Sequence, residues 1–254
     1  MLSRRYGGWG FDDLGGLTVD DAGSIFLTGA FESTIDFGPV TGSPLASLGG
    51  VDLFITKLSA NGTGLWARRA GNTTNQRGLA IAAAPNGDVL VAGDASGTLH
   101  IDGPLLFPKG ERGLFLTRMS TEGAVLWAQI FGGPQSVSFG VSLAVDPASD
   151  SVVAAGFFDD VVDFGGGALP SAGNVDAFVA RFAKDGSHLG ARVFGGPGPD
   201  GVLALDLGPS GELLLGGAHT SPIDFGGGVF TTSSLLDANG FLVRLSPPSE
   251  ASRR

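Results

Sequence analysis

The chain has 254 residues, with 15 basic against 25 acidic side chains and a formal charge of −10, a balance that repels phosphate backbones and anionic lipid and sets nucleic acid aside as a partner. Cysteine is absent, which excludes disulfides, thiolate metal sites and cysteine nucleophiles, and no apolar run reaches the roughly 18 residues a helical membrane span needs. Hydrophobic residues make up 43 % of the chain, ample for a core. The 44 glycines and 14 prolines gather at strand ends and in turns, so turn-dense β structure is expected rather than disorder.

The opening MLSRRYGGWGFDD carries two arginines but no apolar core, so it does not read as a secretion signal. After it come an apolar run, GGLTVD, a polar turn, DAGS, and a second run ending in glycine, SIFLTG. A longer Gly/Ser/Pro-rich connection leads to VDLFITKLS, a turn SANGTG and a fourth run LWARRAG. The same order returns with GLAIAAA, DVLVAG, RGLFLTRMS and LWAQIFGG, then with VSLAVD, SVVAAG, VDAFVARFA and LGARVFGG. A last round gives VLALDL, ELLLGG and NGFLVRLS. Phe54, Phe115, Phe178 and Phe241 hold the equivalent place, at steps of 61, 63 and 63 residues (115−54, 178−115, 241−178).

A fixed period of this size marks a repeat architecture, because one repeat cannot bury its apolar faces alone. Four short antiparallel strands per repeat predict one propeller blade. The expected fold is therefore all-β, a β-propeller of four four-stranded blades over residues 9–71, 72–133, 134–196 and 197–246, forming one domain over 1–246. The last repeat stops after its third strand and runs into SPPSEASRR, so 247–254 are expected to be a disordered tail. LSRRYGG at the head matches the fourth-strand endings AQIFGG and ARVFGG, with Tyr6 in the place of Phe131 and Phe194. Residues 1–8 are thus expected to complete the last blade and cover an edge that would otherwise template aggregation. A ring closed this way would be a monomer. The rival readings are part of a larger propeller, or two chains sharing one.

The pattern GVSLAVDPASDSVVAAG…VDAFVARFAKDGSHLGARVFGG resembles the bacterial β-propeller repeat family known as SBBP, and is similar to the delta-sixty repeats of deltaproteobacteria. The likeness covers essentially the whole chain and rests on D-A-F-V-A-R, the D-G turn after it and the terminal F-G-G. The second repeat departs, with Gly113 and Leu114 where the third has Asp176 and Ala177. The resemblance implies a propeller in exported or cell-surface bacterial proteins, and no common activity. Without a signal peptide the compartment stays open.

In a propeller the second-to-third and fourth-to-first connections share one face, and the tight turns share the other. Asp36, Asp102, Asp163 and Asp224, from TIDFG, HIDGP, VDFGGG and IDFGGG, are then expected on the first face. There they could form an acidic rim that takes a divalent cation or a cationic partner, since hard cations want several oxygens. The bland reading is that each aspartate shapes its own turn, which recurrence in every repeat favours. His100 and His219 stand near Asp102 and Asp224 and could pair with them to bind metal or relay protons; two such residues without a third ligand read more simply as solvated loops. His188 falls in a tight turn and is expected to be plain surface. Lys57, Arg118, Arg181 and Arg244 recur on the third strands, either as a grip for anions or as ion pairs and apolar stems. Trp66 and Trp127 read as core. Trp9 has no counterpart and is the aromatic placed to stack on a ligand.

FGGPGPDG and DFGGGV precede no helix and so are not phosphate loops. No G-x-S-x-G or H-E-x-x-H string occurs, nor any calcium-loop pattern. The expected function is a non-enzymatic scaffold or recognition module that uses the acidic, loop-rich face for a protein or glycan ligand, with Trp9, Asp36, Asp102, Asp163, Asp224, His100 and His219 as the candidate contacts. No resident cofactor is expected beyond a divalent cation on those acids. The alternatives are a lyase or hydrolase working at a channel mouth with Asp102, Asp224, His100 and His219, and a fragment of a larger propeller.

Overall fold

The computed structural model describes residues 3–40, 43–103, 105–136, 139–232 and 237–246. The expected tail at 247–254 lies outside them. The structure is all-β, with no helix among the described residues. It divides into two compact units, Met1–Phe131 and Gly132–Arg254.

The first unit opens with β1 (Asp12–Val19) and β2 (Ile25–Phe31). A short ribbon follows, β3 (Thr34–Ile35) and β4 (Leu45–Ala46), and then β5 (Asp52–Leu58) and β6 (Gly64–Ala70). The long strands form an antiparallel sheet in the order β1-β2-β5-β6. The second round is β7 (Gln76–Ala83), β8 (Val89–Ser96), the ribbon β9 (Leu99–His100) and β10 (Leu105–Leu106), then β11 (Arg112–Met119) and β12 (Val125–Phe131), with sheet order β7-β8-β11-β12. The second unit repeats this with β13 (Phe139–Val145), β14 (Val152–Phe158), the ribbon β15 (Val161–Asp163) and β16 (Ala168–Pro170), then β17 (Asp176–Phe182) and β18 (His188–Phe194). The last round is β19 (Asp200–Leu207), β20 (Leu213–His219), the ribbon β21 (Ile223–Asp224) and β22 (Val229–Phe230), then β23 (Asn239–Leu245). Its sheet, β19-β20-β23, has three strands among the described residues.

Residues 3–10 hold no regular structure, and the Tyr6 ring lies 5.0 Å from that of Phe37.

In the first three rounds the third strand is well covered, because both of its faces are packed, whereas β23 of the last round is largely exposed. In β5, Leu53 and Ile55 join a core with Phe26, Trp66, Ile81, Val91 and Phe115 that spans the two sheets of the first unit. Phe54 and Leu58 point the other way, into a second core closed by Phe37 of the ribbon. The second unit repeats the scheme, with Val179 and Ala177 in the core shared by its two sheets and Phe178 under Phe164 at 4.9 Å between rings. The ribbon is thus a lid over the sheet's outer face. Strands of two or three residues are too short to show a period, which is why the sequence suggests only a long connection there.

First strands begin earlier than the apolar runs indicate. β1, β7 and β19 each carry a bulge, at Leu14/Gly16, Gly78/Ala80 and Val202/Ala204. The extra residue lets the strand continue back to Asp12, Gln76 and Asp200. From there Gln76 N donates to Val51 O at 2.7 Å and Asp200 N to Val175 O at 2.8 Å. Within each unit, then, the start of one sheet's first strand is stitched to the loop before the preceding sheet's third strand.

Candidate functional site

The four recurring aspartates sit at the ribbon tips, and three of them do the same work. Asp36 Oδ1 accepts from Gly38 N (2.8 Å) and Ser43 Oγ (2.8 Å). Asp163 Oδ1 accepts from Gly165 N (2.8 Å) and Gly167 N (3.1 Å), and Asp224 Oδ1 from Gly226 N (2.7 Å) and Gly228 N (3.1 Å). These are Asx turns that bend the ribbon so that the following phenylalanine drops into the core. The Gly38 N–H, helped by Ser43, holds the Asp36 carboxyl below the usual range. Asp102 departs from the pattern. The residue two places on is Pro104, which has no N–H to give; Asp102 takes a positive φ of 34° and faces Arg68 Nε at 3.4 Å.

The ribbons fold back along the sheets, so the tips do not stand at the connection end as expected. A methyl on Gly64, the first residue of β6, would fall 2.7 Å from Phe37 O. One on Gly166 would fall 2.3 Å from the ring of His188, the first residue of β18. The acids therefore lie over the outer strands, near the tight turns. Likewise His188 is not plain surface: it is half-buried beneath a ribbon tip, 6.3 Å from the Phe182 ring.

The two loop histidines differ from each other. His100 is exposed on β9. His219 is buried at the end of β20, with Nδ1 2.9 Å from Ser221 O and its ring against Phe230 and Phe241. Its register partners are Asp200 and Asn239, not Asp224. Among the described residues no three His, Asp or Glu side chains come together as a metal ion would require.

The basic residues of the third strands are ion-paired where the structure describes a partner. Lys57 Nζ lies 3.6 Å from Asp20, in the turn after β1, and reaches Thr121, in the turn after β11. Arg118 Nε donates to Asp88 at 2.9 Å, with Nη2 on Asn86 at 3.1 Å. Arg181 helps to hold down the carboxyl of Asp146, which its own burial opposes and Ser149 and Ala148 favour. Arg244 is exposed. Trp66 is core, and its Nε1 donates to Thr121 O at 3.0 Å; Trp127 is half-buried.

Trp9 is 90 % exposed. Phe11 beside it is partly exposed and carries the Arg77 guanidinium 5.4 Å from its ring centre. A second open surface lies along β23. Leu242, Val229 and Phe230 are exposed there, and a groove of about 430 Å³ is lined by His219, Phe230, Thr231, Phe241 and Leu242. This is the side on which the other three sheets carry a fourth strand.

Buried acids at strand starts form a group that sequence reasoning missed. Asp52 and Asp176 open the third strands of their sheets and are fully buried. Each has one oxygen bonded, Asp52 Oδ2 to Leu48 N (2.8 Å) and Arg69 Nη1 (3.1 Å) and Asp176 Oδ2 to Ala172 N. In each the other oxygen, Oδ1, has no partner. Burial pushes both carboxyls up. The V-D pair before each strand was the available signal, but an acid at a strand boundary reads as a solvated edge. Compared with protein-family models and with curated proteins, the chain matches neither.

Proposed function

We propose that the chain is a non-enzymatic recognition module on a four-bladed β-propeller, with a protein or glycan ligand held on the connection around Trp9. The observation that carries the reading is the exposure of Trp9, 90 %. Leaving so large an apolar side chain in water forgoes roughly 2 kcal/mol of burial, and exposed tryptophan is the residue type most enriched at binding hot spots. The ribbon aspartates support the module reading over chemistry at a shared centre, because one oxygen, Oδ1, of each of Asp36, Asp163 and Asp224 is taken by its own turn. The test is a glycan array and a pull-down with wild type and Trp9→Ala. A ligand that the wild type retains at micromolar concentration and the variant loses supports the reading; equal binding by both, or none by the wild type, sinks it.

The same proposal takes the four sheets as four blades of an SBBP-type repeat, with the segment 1–8 supplying the strand beside β23. Three likenesses support it. Tyr6 lies on Phe37 (5.0 Å) as Phe194, the last residue of β18, lies on Phe225 (4.7 Å). Gly8 N donates to Asp12 Oδ2 at 2.8 Å as Gly196 N donates to Asp200 Oδ2 at 2.9 Å. The residue opening a third strand is matched with the one opening the next first strand, Asp52 with Gln76 and Asp176 with Asp200; the same step pairs Asn239 with Asp12, whose buried Oδ1 has no partner and which an amide N–H would suit. The β17–β18 register, Ala180 opposite Ala191, places Ser3 opposite Val243. In a chain without cysteine, Ser3→Cys with Val243→Cys then gives a disulfide within the monomer. Free thiols or linked dimers would overturn the closure and leave the Trp9 test standing.

A further inference from the structure

The joint between the two sheets of the second unit brings two buried acids together. Asp176 is 0 % and Asp200 2 % exposed, and the Asp200 N–H is bonded to the carbonyl just before Asp176. Their surroundings are unequal. Asp200 receives four donors: Gly196 N (2.9 Å) and Ser221 Oγ (2.6 Å) on Oδ2, Thr220 N (2.9 Å) and Ser221 N (3.3 Å) on Oδ1. A proton on either oxygen would displace one of them. Asp176 has Ala172 N on Oδ2 and nothing on Oδ1, which is packed where a methyl on Gly195 would fall, 2.2 Å away. A proton on that oxygen displaces no donor, and it removes a charge from a place where no protein N–H compensates it.

The matching joint in the first unit lacks the second acid, since Asp52 faces the neutral Gln76 and has Arg69 on its bonded oxygen, although its Oδ1 is likewise without a partner. The last round places Asn239 in the equivalent position to Asp176, an amide with the shape of a protonated aspartate. Other titratable or charged groups on the elements around Asp176 are Asp159 and Asp160 after β14, Arg192 on β18 and His219 on β20, with Arg181, His188 and Asp206 farther along β17, β18 and β19. Asp160 accepts from Gln135 N, Arg192 lies over the Phe194 ring and His219 is bonded to Ser221 O.

We propose that Asp176 is a neutral acid carrying its proton on Oδ1 beside the carboxylate of Asp200, and that the joint between these two sheets weakens as rising pH removes that proton. Burial first, and the neighbouring charge of Asp200 as well, push the Asp176 carboxyl up. An acid raised in the folded state binds its proton more tightly there than in the unfolded chain. Its contribution is therefore complete below the ordinary aspartate range and is lost as pH rises through the folded value.

The test is carbon-13 NMR of the aspartate carboxyls, with thermal unfolding across pH. The Asp176 carboxyl carbon is expected to titrate at higher pH than that of exposed Asp185, whose carboxyl the Ser187 hydroxyl and N–H hold low. The wild-type midpoint is expected to fall through the Asp176 titration, and Asp176→Asn is expected to abolish that fall and melt higher at neutral pH. An Asp176 carbon titrating with or below Asp185 overturns the proposal, as does a variant whose midpoint follows pH as the wild type does. If the variant fails to fold, the titration in the unaltered protein decides.

Discussion

Gly216 and Gly217 are neighbours in β20, and the structure assigns them opposite tolerance to the same substitution. A methyl on Gly217 would lie 2.1 Å from Gly201 O and 2.5 Å from Phe241 Cζ. Carbon and oxygen settle at roughly 3.3 Å or more, so a strand and a core ring must both retreat by about an ångström. Overpacking of this kind costs about 1–3 kcal/mol, and the main-chain oxygen puts this case near the upper end. Replacing glycine returns some unfolded-state entropy, about 0.4–1 kcal/mol, leaving a net loss near 2 kcal/mol for Gly217→Ala. In a chain of this length that lowers the melting midpoint by roughly 4–8 °C. A methyl on Gly216 would meet nothing nearer than Ala204 Cβ at 3.8 Å. Gly216→Ala therefore keeps the entropic gain and melts at or slightly above wild type. Thermal unfolding followed by far-UV circular dichroism compares the two directly. Equal midpoints for both variants would refute the argument that the strand-two glycine exists to admit the first strand and the phenylalanine ring.

Arg118→Ala leaves Asp88 without its charged partner in a nearly closed site (side chains 3 % and 12 % exposed), so a loss of about 3–5 kcal/mol is expected in urea unfolding. Ser43→Ala removes one of the two donors on Asp36, so the Asp36 carboxyl should rise toward the ordinary aspartate value in a carbon-13 titration. Because that carboxyl is held low in the folded state, its stabilising effect is present above the ordinary value and lost as pH falls; the variant should lose it over a narrower range. Trp9→Ala removes a side chain already in water, and its melting midpoint should match wild type.

The fold was legible where one residue answers another across the sheet. Gly29, Gly93, Gly156 and Gly217 stand opposite Phe54, Phe115, Phe178 and Phe241 in the register, so the two most visible recurrences in the sequence are two halves of one contact. The early starts of β1, β7 and β19 were hidden because their first residues, Asp12, Gln76 and Asp200, are polar. Gln76 and Asp200 are buried against the preceding sheet of their own unit, which no local pattern records. His219 was visible as a candidate, but its partner was misread as Asp224, five residues on, when the strand register sets it opposite Asp200. Trp9 stands out in the sequence as the aromatic with no repeat counterpart, and the structure leaves it exposed.

Residues at equivalent positions sort by whether their chemistry repeats. Asp36, Asp163 and Asp224 each bind the N–H two residues on, so their recurrence reports a turn. Asp102, before a proline that has no such N–H, keeps the residue type and loses the role, which shows that the type alone does not carry it. At the joints the chemistry changes instead, acid against amide at Asp52 and Gln76 and acid against acid at Asp176 and Asp200, and each change has a stated consequence in burial or protonation. Trp9 belongs to neither class. It has no counterpart in the other repeats and is 90 % exposed, which is why the proposed ligand is placed on it and why Trp9→Ala is the variant that tests the proposal.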